Sequence, residues 1–273
     1  MSVKPPRLDI PMPELPEGVK WINVPYLGMR TLLGRSVPLV WFWDYCSLNS
    51  LRALPYLQEW HHRYERHGLK VIGVHSPQFP FGREPDLVEG AVHSLGVEFP
   101  VALDADYEVW KAYGNEVWPA LYLWDRKGVL RHYHFAEGAY EETERAIQEL
   151  LQEIDPDAQM PEPMAPLRRT DRPGTLVQIP TPHRYLEEDR SGREMEPGED
   201  ISVRYRGATA AAVLDGAGRV DVEVDGELRR IMRLSGPRLY KLVESGMHEE
   251  HEVRLRFRDA ARAYAFSFAP GPA

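Results

Sequence analysis

The proline-rich stretch in the middle of the sequence most constrains how this chain can fold. Residues 155–182 contain seven prolines, and proline at this density cannot continue a helix or a central strand. We therefore expect a semi-rigid linker between two differently patterned bodies, and 273 residues are enough for two domains. The predicted division is an N-terminal arm at 1–36, an α/β domain at 37–154, the linker at 155–182 and an all-β domain at 183–273.

The residues after the arm alternate between strand and helix patterns. The apolar run at 37–43 (VPLVWFW) predicts a buried strand, and an apolar stripe at helical spacing predicts a helix over 48–66. Strand, helix and strand followed by strand, strand and helix is typical of an α/β domain with a mixed sheet flanked by helices. The other predicted strands are 69–75, 99–104, 119–125 and 129–135, and the other predicted helices are 84–95, 107–114 and 140–154.

Beyond the linker the sequence changes to short alternating runs separated by Gly, Asp and Ser turns. The predicted strands lie in the runs 200–207, 209–216, 219–226, 227–235, 238–245, 251–257 and 262–269, with breaks at Gly207 and at the segment that begins with Gly246. No helical period interrupts these runs, and regular short strands of this kind predict an antiparallel β-sandwich or jelly roll. The clearest hairpin is VDVEVDGELRRIMR at 220–233, with its turn at Asp225-Gly226.

The net charge and the cysteine count exclude several classes of function. A net charge of −9 argues against general nucleic-acid binding and against docking on an anionic membrane. No apolar run approaches the ~20 residues that a membrane span needs, and the N-terminus has no apolar signal-peptide core, so we expect a cytoplasmic protein. The single cysteine rules out an intramolecular disulfide and an all-cysteine zinc site. No cofactor is expected.

Five stretches of the first domain carry a resemblance to a known family. They are FWDYCSLNSLRALPYL (42–57), VIGVHSPQF (71–79), FPVALDADYEVWKAYGN (99–115), VWPALYLWDRKG (117–128) and HYHFAEGAYEETE (132–144). These stretches resemble the thioredoxin-like, redoxin-type (AhpC/TSA) domain of the TlpA and DipZ families over residues 20–153, which implies a thioredoxin-like fold and thiol redox chemistry. SGPRLYKLV and AYAFSF are more weakly similar to the carbohydrate-module-like β domain attached to DipZ redox domains.

The resemblance also assigns the family's active-site positions. Aligned without a gap, the two cysteines of the family's Cys-x-x-Cys pair fall on Ser47 and Ser50, and Cys46 lies one place too early. Pro119 matches the family's cis-proline, so a cis peptide is predicted between Trp118 and Pro119. Dithiol exchange needs one thiolate to attack and a second thiol to resolve the mixed disulfide, and serine can do neither. Dithiol cycling within this sequence is therefore excluded.

Cys46 is the candidate catalytic residue that remains. Its place at a strand-to-helix turn favours a lowered pKa, and a single reactive thiol can form mixed disulfides or react with peroxide. The alternative is a packing role, because free cysteine is among the most buried residue types. Asp44, two residues away, would oppose thiolate formation if it is ionised close by.

The polar residues around Cys46 are suited to capping the N-terminus of the following helix. Ser47 is a good helix N-cap, and Asn49 and Ser50 can satisfy backbone N–H groups of the first turn. The same N–H groups are the alternative site for an anion or a ligand carboxylate. Near Pro119 we predict a binding cleft with aromatic walls. Its predicted lining is Trp43, Asp44, Tyr45, Asn49 and Trp118.

Other polar pairs are weaker candidates, and no metal site is predicted. His132 and His134 share one face of a strand, as a metal pair would, but a structural role is preferred. His248 and His251 lie in an acidic loop. His61-His62 point apart on a helix, and Asp104 and Asp106 lack the frame of a calcium loop.

The sequence thus predicts a thioredoxin-like protein without dithiol activity, acting as a binding or redox-associated protein. The alternative is a monothiol oxidoreductase or peroxidase that acts through Cys46. The expected partner is a protein, a thiol or a carbohydrate-like ligand; the carbohydrate suggestion rests on analogy of fold alone.

Overall fold

The computed structural model of the chain describes residues 9–272, which divide into two compact units. Unit 1 comprises residues 9–43, 53–76 and 92–165. Unit 2 comprises residues 44–52, 77–91 and 166–272. The loop after the first long strand, at 44–52, therefore belongs to the same compact unit as the C-terminal sheet. The four-part division made from the sequence stays a prediction.

Unit 1 contains a six-stranded mixed sheet in the order β1-β4-β3-β2-β5-β6. The central strand β2 is buried along its whole length, as an unbroken apolar run with both faces covered requires. It runs parallel to β3, which runs parallel to β4, and antiparallel to β5. The strands are β1 Lys20–Ile22, β2 Val37–Trp43, β3 Leu69–His75, β4 Val101–Leu103, β5 Ala120–Trp124 and β6 Leu130–Phe135.

Four α-helices accompany this sheet in sequence, each within a predicted range. The first ends early because a 3-10 turn and then Gly68, at φ 106°, follow its last residue; glycine adopts this left-handed conformation without steric cost. Glu141 and Glu142 lie in the first turn of the last helix, where the helix dipole favours acidic side chains. The helices are α1 Leu48–Tyr64, α2 Pro85–Ser94, α3 Glu108–Ala112 and α4 Tyr140–Gln152.

The N-terminal arm contributes an edge strand that the sequence analysis missed. Strand β1 pairs antiparallel with β4, and three residues are too few to produce a period-2 signal. Asn23 fixes the arm by donating from Nδ2 to the carbonyl oxygens of Val97 and Phe99, at 2.8 and 2.9 Å. The arm is thus part of the sheet of unit 1.

A buried carboxylate joins α1, α4 and residues 161–164 within unit 1. Glu144 is 2% exposed. Its Oε1 accepts hydrogen bonds from Tyr64 Oη at 2.6 Å and from Arg63 Nη1 at 3.2 Å, and its Oε2 accepts one from the Met164 amide at 2.9 Å. Gln148 Nε2 donates to Tyr64 Oη at 2.8 Å. Each Glu144 oxygen therefore has a donor, as a buried charge requires.

Unit 2 contains a separate, all-antiparallel seven-stranded sheet. Its strand order is β11-β10-β12-β9-β13-β7, and β8 also pairs with β13. The predicted turn at Asp225-Gly226 is confirmed, with φ values of 53° and 82° at its two residues. The strands are β7 Arg184–Tyr185, β8 Arg193–Met195, β9 Asp200–Asp215, β10 Arg219–Val224, β11 Glu227–Arg233, β12 Arg238–Phe257 and β13 Ala261–Ala269.

Two long strands of unit 2 each replace two predicted short ones. Strand β9 runs through Gly207, and β12 runs through Gly246, which the sequence analysis interpreted as breaks. The pairing of the two strands shifts register between Glu244 and Glu249, so extra residues are accommodated as an irregularity rather than a turn. The thioredoxin-like fold class and the all-β C-terminal region are both confirmed.

Candidate functional site

The loop between β2 and α1 contains Ser47 and Ser50, the positions to which the sequence analysis assigned the family's cysteine pair, and its hydroxyl groups form hydrogen bonds within the loop. Ser47 Oγ accepts a hydrogen bond from the Ser50 amide at 3.3 Å, and the Leu51 amide donates to the Ser47 carbonyl oxygen at 2.9 Å. This is the predicted N-cap arrangement of α1. Ser47 is 5% exposed and Ser50 is fully buried, while Asn49 is half-buried. The hydroxyl groups of Ser47 and Ser50 therefore stabilise the start of the helix.

Asp44 is a structural acceptor at the base of this loop. Its Oδ1 accepts a hydrogen bond from the Cys46 amide at 2.6 Å, and its Oδ2 accepts one from the Gln78 amide at 2.9 Å. The Asp44 amide in turn donates to Ser50 Oγ at 3.4 Å. One carboxylate thus fixes the loop at 44–52 to the segment that follows β3. From the sequence, Asp44 was considered for the effect of its charge on Cys46. Its hydrogen bond with the Gln78 amide was not predicted, because Gln78 lies 34 residues further along the chain.

Burial raises the pKa of Asp44 to about 6. The amides of Gln78 and Cys46 and the charge of Arg190 act in the opposite direction and offset part of this shift. Arg190 Nη1 donates to the Gln78 carbonyl oxygen at 3.5 Å, and its guanidinium lies 4.5 Å from the centre of the Tyr185 ring. The free-energy cost of burying the charged carboxylate is therefore larger than the stabilisation that its hydrogen bonds and Arg190 provide.

The raised pKa of Asp44 predicts a pH-dependent difference in stability between the wild type and Asp44→Asn. The folded pKa is about 6 against an ordinary value of 3.8, so folding favours the protonated form. This stabilising contribution is nearly complete below about pH 3 and is lost as the pH rises through about 6, a change of about 3 kcal/mol.

The asparagine side chain of the variant does not titrate. Its single oxygen accepts fewer hydrogen bonds than the carboxylate, and this changes the free energy of unfolding by the same amount at every pH. The free energy of unfolding of the wild type minus that of Asp44→Asn is therefore expected to fall by about 3 kcal/mol from pH 3 to pH 7. Urea unfolding followed by circular dichroism at several pH values measures this difference. A difference that rises with pH, or stays constant, would contradict the buried-carboxylate assignment.

Cys46 is fully buried. Burial raises the pKa of its thiol well above the ordinary value, and the nearby Asp44 carboxylate raises it further. A hydrogen bond from the Leu239 amide and the charge of Arg238 oppose this shift with smaller effects. The expectation of a lowered pKa from the helix N-terminus thus does not hold, because loss of solvation dominates. A covered, protonated thiol has neither the charge nor the access that nucleophilic attack needs.

Packing within unit 2 explains why the loop is covered. Leu48, in the first turn of α1, shares a buried cluster with Ala211 of β9 and Ala269 of β13. Phe81 lies with its ring 4.9 Å from that of Tyr264 on β13, and Tyr45 lies 6.1 Å from Phe81. No local signal in the sequence predicts the contacts with β9 and β13, because those partners are about 160 to 220 positions away.

The remaining predicted cleft residues lie in unit 1. The cis peptide between Trp118 and Pro119 is confirmed. Trp118 is half-buried, and its Nε1 donates to the Ser76 carbonyl oxygen at 2.8 Å. Trp43 is fully buried and stacks on Trp41 with ring centres 5.1 Å apart. That these residues form cleft walls stays a prediction.

The weaker polar candidates have local partners. His132 Nε2 lies 3.0 Å from Thr143 Oγ1, and His251 Nδ1 lies 2.7 Å from Asp225 Oδ2. Asp104 accepts hydrogen bonds from the first-turn amides of α3 and from Ser76 Oγ. Within residues 9–272, no group of three or more His, Cys, Asp or Glu side chains is placed to hold a metal ion. Over the same residues, no helix is both long and apolar enough to cross a membrane.

Comparison with known proteins identifies the two regions. The model of the AhpC/TSA family matches residues 31–133, and the model of the thioredoxin-like C-terminal domain matches residues 187–269. The chain carries a thioredoxin-like domain of the AhpC/TSA type. The resemblance to the TlpA and DipZ families is confirmed, with the second match following this thioredoxin-like domain in the order that the sequence predicts.

Two relatives match this thioredoxin-like domain, and one of them is named a thiol-disulfide oxidoreductase. Protein DipZ of Mycobacterium tuberculosis is 38% identical over 154 residues, which is 55% of this chain and 22% of DipZ. The chain therefore spans about a fifth of the length of that relative. The thiol-disulfide oxidoreductase YkuV of Bacillus subtilis is 27% identical over 149 residues, 55% of this chain and 99% of YkuV.

Among solved structures, the chain is similar to the solution structure of a thioredoxin-like protein in the oxidized form. That likeness has a TM-score of 0.49 and 28% identity, and covers 54% of this chain and 98% of the other.

Proposed function

We propose that this chain is a thioredoxin-like protein without dithiol activity, acting as a redox-associated binding protein. The observation that carries the proposal is the state of Cys46, the one cysteine in the sequence, which is fully buried with a raised pKa. Support also comes from Ser47, whose hydroxyl caps α1. In this proposal the loop at 44–52 keeps the family's backbone conformation, but its side chains stabilise the fold and take no part in thiol exchange.

The requirements of thiol exchange support this choice. A mixed disulfide forms when a thiolate attacks along the axis of a disulfide bond, and a second thiol then releases the product. Cys46 has no second thiol in this sequence. A disulfide of any size would also have to reach a sulfur atom that is closed off from solvent. The partner in this proposal is a protein, a thiol or a carbohydrate-like molecule recognised outside the loop.

A monothiol oxidoreductase or peroxidase acting through Cys46 is the alternative. The contributions that favour its thiolate, from the Leu239 amide and Arg238, are smaller than the effect of burial. That activity therefore requires the loop to open before each turnover.

Activity measured on the wild type and on Cys46→Ser separates the two functions. We expect both proteins to consume hydrogen peroxide at the same background rate, and we expect neither to gain mass in native buffer with glutathione disulfide. Cys46→Ser is a close match in size, so it changes the chemistry of the site and little else. Peroxide consumption that depends on Cys46, or glutathionylation of the native wild type, would establish the monothiol enzyme instead.

A further inference from the structure

The Asp44 carboxylate and the Cys46 thiol are buried by the same loop conformation in unit 2. Asp44 is 1% exposed and Cys46 is fully buried. Asp44 Oδ1 accepts a hydrogen bond from the Cys46 amide at 2.6 Å, and Asp44 Oδ2 accepts one from the Gln78 amide at 2.9 Å. One carboxylate thus binds both the backbone beside the thiol and the segment that follows β3. A movement that brings Asp44 into water therefore also releases Cys46.

The titratable and charged groups that face Asp44 compensate only part of the cost of its burial. The charge of Arg190 favours the ionised carboxylate, but the guanidinium also lies over the Tyr185 ring, 4.5 Å from its centre. Tyr45, Cys46 and Tyr185 face Asp44 as neutral groups. Burial raises the pKa of each of these three side chains, and the Asp44 charge raises it further. The ionised carboxylate is therefore less stable inside the loop than in water.

The apolar cluster that helps to hold the loop is small. Leu48 shares it with Ala211 and Ala269, and Leu239 packs against it at the margin. An alanine side chain offers one methyl group, so little apolar area is buried in these contacts. A segment with few buried apolar contacts opens at a lower free-energy cost than the whole fold unfolds. Local opening of residues 44–52 is thus the least costly way to return Asp44 to solvent.

We propose that ionisation of Asp44 opens the loop at 44–52 and uncovers Cys46, so that the loop is a pH-sensitive switch. In the closed loop, burial raises the pKa of Asp44 to about 6, against an ordinary value of 3.8 that applies once the carboxylate is in water. The closed loop is therefore favoured while Asp44 is protonated, and this advantage is lost as the pH rises through about 6. The proposal goes beyond the proposed function and holds whether or not Cys46 takes part in any reaction.

The two pKa values of Asp44 set the size of the effect. The fraction of molecules with an open loop is expected to rise about 50-fold from pH 4 to pH 7. Above about pH 7 it should level off, because Asp44 is then ionised in both the closed and the open loop. The open fraction should stay below about one hundredth at pH 7, since the packing of Leu48 and the hydrogen bonds of the carboxylate also hold the ionised loop.

The rate at which Cys46 reacts with dithiodipyridine, which modifies thiols in acid as well as at neutral pH, tests the proposal. The rate for native protein divided by the rate for unfolded protein at the same pH gives the open fraction, because ionisation of the thiol cancels in this ratio. The wild type is expected to show a rise of about 50-fold from pH 4 to pH 7. Asp44→Asn cannot ionise at this position, so its ratio should stay constant within about threefold.

Asp104→Asn is the matched control. Asp104 is also a buried carboxylate, 3% exposed, but it belongs to unit 1, so this variant should keep the rise of the wild type. Low concentrations of urea separate local opening from global unfolding. Labelling through local opening should change little with urea, because opening of a short segment exposes little new surface.

A wild-type ratio that stays constant or falls as the pH rises overturns the proposal, as does a rise that Asp44→Asn keeps or Asp104→Asn loses. Labelling that follows global unfolding at every urea concentration overturns it as well. If Asp44→Asn lacks the native circular dichroism spectrum, Arg190→Gln is the second variant. Loss of this cation should raise the pKa of Asp44 further and extend the rise to higher pH, and an unchanged pH dependence would overturn the proposal.

Discussion

The variant Ser47→Cys/Ser50→Cys is expected to contain a cysteine pair in the family's spacing without showing rapid thiol exchange. The two positions are 5% and 0% exposed, and Leu48 between them packs into a buried cluster with Ala211 and Ala269. A disulfide partner reaches these sulfurs only when the loop opens. We expect the reduced variant to react with a disulfide reagent at least about 100-fold more slowly when native than when unfolded.

The measurement is best made in a Cys46→Ala background, so that only the introduced thiols report. Glu141→Cys, on the exposed side of α4, is the matched control and should react at similar rates in the native and unfolded states. Insulin reduction by the restored pair should stay near background. Fast exchange would mean that the loop opens readily and that only the loss of the cysteines silences it.

Glu144→Ala is expected to destabilise unit 1 by about 3 kcal/mol or more. Removing one partner of a buried ion pair leaves the others without compensation, at a cost of roughly 3–5 kcal/mol. The Met164 amide loses its acceptor, Arg63 loses a buried partner and Tyr64 Oη loses a hydrogen bond of 2.6 Å. Met164 and its neighbours should then detach from α1 and α4.

Tryptophan fluorescence during urea unfolding isolates this effect, because all seven tryptophans lie in the sequence ranges of unit 1. Glu141→Ala is the control. It removes an exposed ion pair with Arg145 on the same helix, which should cost less than about 1 kcal/mol. Equal effects of the two substitutions would show that the Glu144 network adds nothing beyond an ordinary surface pair.

The elements that were predicted correctly from the sequence are those whose bounds are determined by a local pattern of residues. Strand β2 begins and ends where the apolar run does, and Ser47 caps α1 because its side chain suits that position. Strand β1 was missed because three residues form no pattern. Strands β9 and β12 were each divided in two, because Gly207 and Gly246 resemble turns unless the pairing of the neighbouring strand is known.

The candidate site was predictable in its residues and not in its environment. Alignment with the family's motif placed Ser47, Ser50 and Cys46 and predicted the cis peptide before Pro119. The pKa of the Cys46 thiol depends on its burial and is also affected by Leu239 and Arg238, which lie almost 200 positions away and oppose the shift. Contacts of that sequence separation leave no local trace, so the environment of the Cys46 thiol could not be predicted from the sequence.

The rate of Cys46 alkylation by iodoacetamide, measured from acid to alkaline pH on native and unfolded protein, tests the central claim most directly. We expect labelling of the unfolded chain with a midpoint near the ordinary thiol value of ~8.5, and almost none of the native protein over the same range. Fast native labelling with a midpoint well below that value would mean an accessible, activated thiolate, and would contradict the assignment of Cys46 as a packing residue.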